Sequence, residues 1–282
     1  MQISLSHERV VLQLIVLFAA GCSDQKKPSA SVPVANPPSA AKSGMDMSHD
    51  HMAGQPGKLM VRTDPPEIKP GQPVKFDLMI HDAAGKMIMQ FDTIHEKKVH
   101  LIIVRDALDF FAHVHPELDA MGGLKSTFTF PTPGTFWLYA DHKPAGKDQT
   151  VAVATLTVAG TPPEKPPLTP NVPGKVTTEV YQANTGIENP KAGAMTGITF
   201  TLADLADKPV TDLQPYLGAM GHLVVISSDG KDYVHAHAAE AAAAPGVVGF
   251  MAHFPRGGLY KGWGQFQRAG VVHTVPFVMN VQ

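Results

Sequence analysis

With one cysteine, Cys22, in 282 residues, the chain can form no internal disulfide. Charge is sparse and nearly balanced, 23 Lys and Arg against 25 Asp and Glu. The basic residues are scattered, which excludes the basic face that a nucleic-acid partner needs. Helical periodicity is scarce as well. G-x-S-x-G, H-E-x-x-H, a phosphate-cradling loop and paired carboxylates on one face are all missing, so no enzyme is expected.

At the N-terminus, "MQISLSHERVVLQLIVLFAAGCS" carries Arg9, an apolar run over residues 10–20 and small residues before Cys22. This is the pattern of an export signal, too short for a membrane span. Small residues directly before a cysteine resemble the bacterial lipoprotein signal. That resemblance implies a signal peptide over residues 1–21, acylation of Cys22 and a membrane partner through the lipid, and Ser23 favours the outer membrane facing the periplasm. Residues 22–56, rich in Pro, Ser and Ala, have almost nothing to bury and are expected to form a disordered tether.

The remainder is written twice. "VKFDLMIHDAAGK" (residues 74–86) matches "TGITFTLADLADK" (196–208), and "VHLIIVRDALDFFAHVH" (99–115) matches "GHLVVISSDGKDYVHAH" (221–237), both at an offset of 122 residues. Short alternating strands, Pro and Gly turns and a proline-dense interval predict an all-β chain. It should hold two tandem immunoglobulin-like antiparallel sandwiches, residues 57–160 and 174–282, separated by an extended spacer over 161–173. The one helix-prone piece, residues 239–246, reads as a loop insertion or single turn.

The repeat lays His100, His113 and His115 over His222, His235 and His237. Centring the hairpins on "RDALD" and "SSDGK" sets His100 opposite His115, Ile102 opposite His113 and His222 opposite His237. All three imidazoles of each copy then share one sheet face, where opposed Cβ atoms lie about 4.5–5.5 Å apart and two rings can close on one ion. The other reading is a core face whose neutral histidines are hydrogen-bonded among Ile102, Val104 and Phe111. Met220, two residues before His222, is expected on the same face, giving Met220, His222, His235 and His237 as the stronger set. His142 and His253 are possible extra ligands that do not align, and His81, His95 and His273 are expected at the surface.

"GMDMSHDHMAG" ends the tether and gathers Met45, Met47, His49, His51 and Met52. Thioether with imidazole suits copper, whereas zinc uses methionine hardly at all; zinc remains open for the histidines alone. The "HLIIV…FFAHVHP" and "HLVVI…YVHAH" units, with "YKGWGQFQRAGVVHTVPFVM", resemble a family of bacterial secreted and lipoprotein chains built of small immunoglobulin-like modules, the YtkA-like domains among them, found beside heavy-metal handling systems. The resemblance implies fold and envelope location. The expected function is an envelope lipoprotein that binds or sequesters a transition metal, copper first, and hands it to a periplasmic metal-handling partner. The alternative is a metal-free immunoglobulin-like adaptor in envelope assembly.

Overall fold

A computed structural model describes residues 57–238 and 244–282. Cys22, Met45, Met47, His49, His51, Met52 and most of the helix-prone piece lie outside the described residues. Module one is built from β1 (Gly57–Asp64), β2 (Pro73–His81), β3 (Val99–Arg105), β4 (Phe111–Val114), β5 (Glu117–Leu118), β6 (Leu124–Thr129), β7 (Gly134–His142) and β8 (Thr150–Val158). Module two follows with β9 (Gly174–Thr177), β10 (Gln182–Ile187), β11 (Met195–Ala203), β12 (Leu213–Gln214), β13 (His222–Ser227), β14 (Tyr233–His237), β15 (Val247–His253), β16 (Gly258–Arg268) and β17 (Val271–Val281).

In module one the layer β4-β3-β7-β8 faces the layer β1-β2-β6-β5, and a short parallel pairing of β1 with β8 joins them. Module two repeats the plan with β14-β13-β16-β17 facing β15-β11-β10-β9, and β12 extends the end of β16. Alternation explains the cores. On β2, Val74, Phe76, Leu78 and Ile80 point inward while their neighbours stay wholly or partly exposed. Ile198, Phe200 and Leu202 of β11 do the same in module two.

β3 and β13 depart from that pattern, being buried at every position. A strand covered on both faces reads as a continuous apolar run, as "VHLIIV" and "HLVVI" do. Leu101 and Ile103 enter the core of module one. Ile102 and Val104, on the opposite face, join Leu108, Tyr139 and Val151 against Val224, Ile226, Tyr233 and Trp263 of module two. The two modules thus pack their β3/β4 and β13/β14 outer faces against each other.

The contacts are reciprocal. Phe111 stacks on Trp263 at 4.8 Å and Tyr233 on Tyr139 at 5.0 Å, while Tyr139 opposes Ile102 and Trp263 opposes Val224 in the register. Equivalent positions of the two copies thus meet each other's partners, so one self-complementary patch is used twice, as in an isologous dimer.

Residues 161–173 do not hold the modules apart, contrary to the sequence expectation. Buried Arg105, ion-paired to Asp109, donates to Pro163 O, and Lys165 pairs with Asp106. Leu168 packs against the inter-module cluster, and Asn171 is bonded to Val278 through both its main chain and its side chain. The segment is tied down along the joint because side chains of module one and the main chain of Val278 in module two offer it partners.

Gly230, at φ 72°, faces Trp137 across the joint, and a Cβ there would lie 2.6–2.8 Å from the indole ring. Gly270 has the same backbone sign, φ 76°, with open space around it. Gly270→Ala should therefore cost only the left-handed strain, about 1 kcal/mol. Gly230→Ala adds overpacking of about 1–3 kcal/mol. Urea unfolding of the two variants measures the difference, and equal losses would show that the Trp137 ring gives way to the added Cβ at no cost.

Candidate metal centre between the modules

The hairpin β3–β4 pairs Ile102 with His113, and β13–β14 pairs His222 with His237 and Val224 with His235. Both turns therefore give the register expected from the sequence. The histidine face lies outside each sandwich rather than in its core, and the other module covers it. Among the described residues, seven imidazoles meet there. His100 lies 5.3 Å from His235 between ring centroids, His113 lies 5.4 Å from His235 and 5.8 Å from His222, and His115 and His237 flank their own triads.

The seventh is His95, expected at the surface but half-buried in the loop before β3 and stacked on His237 at 3.5 Å. It has no counterpart in the repeat, where Leu217 stands, so the repeat itself gave no sign of it.

Each triad is held by the same kinds of partner. His100 Nε2 donates to Ile94 O at 3.0 Å, and His222 Nε2 donates to Tyr216 O at 2.8 Å. A carbonyl only accepts, so Nδ1 of both neutral rings carries the lone pair. Across the joint, His113 Nδ1 meets Gln265 Oε1 at 2.7 Å, and His235 Nδ1 donates to Asp141 Oδ2 at 2.7 Å. Asp141 is the register partner of His100, and Gln265 that of His222. Each module thus braces a histidine of the other.

The two halves differ at this brace. An amide offers oxygen or nitrogen after a half-turn, so His113 can carry its proton on either nitrogen. On Nε2 it donates to His100 Nδ1, 3.0 Å away. Asp141 in its ionised form can only accept, and Gln149 donates to it at 2.8 Å in addition to His235. His235 Nε2 and His222 Nδ1 then face each other as two lone pairs at 3.5 Å. Two nitrogens bound at about 2.0–2.1 Å to one tetrahedral ion stand about 3.3 Å apart. A ring nitrogen backed by a carbonyl or carboxylate on its other side is the arrangement of a metal-bound histidine.

Electrostatics agree with that reading. Burial holds His113, His235 and His237 well below the ordinary histidine value, with neighbouring imidazoles adding to the effect. Burial likewise pushes His222 down to about 2 and His115 to about 3, and lowers His100. At neutral pH the rings are uncharged and available as ligands. Burial pushes the Asp141 carboxyl up, opposed first by His100 and then by the Gln149 hydrogen bond. A cation at the facing nitrogens supplies the countercharge that a buried carboxylate needs.

Among the described residues, two sets of ring nitrogens lie within 4.8 Å of one another: His100, His113 and His115, and, across the joint, His113, His222 and His235. The second set differs from the one expected in module two. His237 is adjacent, 4.6 Å from His222 between centroids, but its place in the set is taken by His113 of the other module. Met220 is not in the cluster. It precedes β13 and packs in the apolar core of module two, so strand alternation does not carry it onto the histidine face.

His142 is also turned away, into the core of module one, with Nδ1 on Ala140 O and its ring against Phe91. His253 lies on β15 in the far layer of module two. His81 and His273 are half-buried rather than at the open surface, and His273 packs on Tyr181. Asp141 and Gln265 escaped the sequence reading because the histidines they brace lie 94 and 152 residues away.

No curated protein matches the chain in sequence. Among solved structures it is similar to the Escherichia coli adhesin FdeC, at 18% identity and TM-score 0.27, over 80% of this chain and 64% of that one. Yersinia pseudotuberculosis InvD is similar at 13% identity and TM-score 0.26, over 79% and 57%. Domains 4 and 5 of the S-layer protein SbsC are similar at 12% identity and TM-score 0.21, over 80% and 99%. The chain thus spans less than two thirds of FdeC and InvD, and likenesses of this size say nothing about activity. A family model matches residues 54–160 and again 175–282: the chain belongs to the family defined by the domain of unknown function DUF8832 and carries it in two tandem copies.

Proposed function

We propose that this chain is an envelope protein that binds a transition-metal ion in the histidine cluster closed between its two modules. One observation carries the reading. With Asp141 ionised, His222 and His235 are held, by Tyr216 O and the carboxylate, so that two lone pairs converge at 3.5 Å in a buried space. In that state the pair is repulsive without a cation; with one it is a ligand pair with its supporting shell in place.

The ligands are imidazoles alone, which suit Cu(II) and Zn(II). The preference for copper rests on the tether, where Met45, Met47 and Met52 with His49 and His51 would capture Cu(I). Anchoring at Cys22 would hold the protein at the outer membrane, and delivery to a periplasmic metal-handling partner belongs to the same proposal, as does the YtkA-like resemblance. The second reading, an envelope adaptor, is favoured by the tandem immunoglobulin-like modules themselves.

Titration separates the two readings. In a full-length chain with the five tether ligands changed to serine, Cu(II) and Zn(II) should bind saturably, and the triple variant His113→Ala, His222→Ala, His235→Ala should abolish binding. A chain that stays folded and binds neither ion supports the adaptor instead. Bound ion at about 100 times its Kd should also stabilise the fold by about 2.7 kcal/mol, read as a shift in the urea midpoint.

Asp141→Asn tests the supporting shell. The amide cannot supply the negative charge behind His235, so metal affinity should fall about 10–100-fold while near-UV circular dichroism of the apo chain stays close to wild type. Unchanged affinity would remove Asp141 from the site.

A further inference from the structure

The two ligand sets share one residue, and that residue has one nitrogen to give. His113 Nδ1 is held by Gln265 at 2.7 Å, which leaves Nε2 as the atom that faces His100. Nε2 carries a single lone pair. The sets His100, His113, His115 and His113, His222, His235 therefore cannot both be filled through it.

The sets also differ in access. His115 is half-buried and lines an open groove of about 450 Å³ with Lys75, Phe76, Glu117 and Lys125. Its Nε2 is turned away from solvent and has no hydrogen-bond partner. His100, His222 and His235 are 0%, 0% and 5% exposed, so the difference in access lies at His115 alone. The bracing groups differ in charge: a neutral amide, Gln265, stands behind His113, and a carboxylate, Asp141, stands behind His235.

We infer that the cluster gives its ion two mutually exclusive positions sharing His113 Nε2: an outer position with His100 and His115, where the ion enters from the groove, and an inner one with His222 and His235, where it rests. This deepens the metal-binding reading and rests on it. The ion moves inward by ligand exchange. The bonds to His100 and His115 break as those to His222 and His235 form, His113 stays attached, and no redox step occurs. His113 can serve both positions because the Gln265 amide oxygen accepts its Nδ1 proton whenever Nε2 is bound. The charge of Asp141 favours the inner position, and the open groove at His115 makes the outer one the faster to load.

The test uses the full-length chain with the tether ligands changed to serine and Cu(II) alone as probe, followed by stopped-flow absorbance and by equilibrium competition. Wild type should bind one ion per cluster. His115→Gln should keep the equilibrium affinity within about twofold and load at least about tenfold more slowly. His235→Gln should load at the wild-type rate and bind at least about tenfold more weakly.

His115→Asn, which keeps a short polar side chain at the end of the hairpin, repeats the first variant should the glutamine disturb folding, with circular dichroism as the check. No binding by wild type would sink the metal reading itself. Binding by wild type together with wild-type loading in both His115 variants would overturn the two-position scheme and leave that reading standing. Two ions bound at once in the cluster would overturn it equally.

Discussion

Taking a histidine cluster out of water, with His100, His222 and His235 buried and four more rings half-buried, is the constraint on which the arrangement of the two modules depends. A buried imidazole nitrogen without a partner is costly; Ile94 O and Tyr216 O serve His100 and His222 within their own modules, but a lone sandwich does not supply the partners for Nδ1 of His113 and His235. They come from the other copy: Asp141 of module one reaches His235, and Gln265 of module two reaches His113. Around these polar contacts the Phe111–Trp263 and Tyr139–Tyr233 stacks and the aliphatic residues of β3 and β13 exclude solvent. The joint is a hydrophobic interface with a polar network at one end, and each part makes the other tenable.

Duplication made the joint self-complementary, and the departures from symmetry are where chemistry enters. Gln265 stands where module one has Asp141, so the tautomer can change on one side, while a carboxylate, when ionised, fixes it on the other. His95 stands where module two has Leu217, adding a ring against His237. Lys98 corresponds to Met220. The lysine bonds to Phe91 O, whereas the methionine is taken into the core, so neither enters the cluster. A perfectly symmetric pair of triads would have two equivalent half-sites. These differences put a carboxylate behind one half and a neutral amide behind the other.

Binding an ion at such a joint couples ligation to the packing of the modules. His113 belongs to module one, His222 and His235 to module two, and the carboxylate behind His235 belongs again to module one. An ion held by these groups favours the closed joint over any opened form by the free energy of its binding.

The sequence by itself determined the strands, their alternation, the tandem all-β plan and, through the two turns, a register that sets three histidines of each copy on one sheet face. Those are local properties, fixed by side-chain period and turn chemistry within about twenty residues. Tertiary structure alone decided that this face is the outside of each sandwich, that the two faces meet, and that Asp141, Gln265 and His95 complete the cluster while Met220 leaves it. Contacts between residues 94 to 152 positions apart depend on how two folded surfaces fit together, and no periodicity in the chain encodes that fit. Continuous burial in "VHLIIV" and "HLVVI" was the one trace of it, because a strand apolar on both faces needs a second layer to cover it.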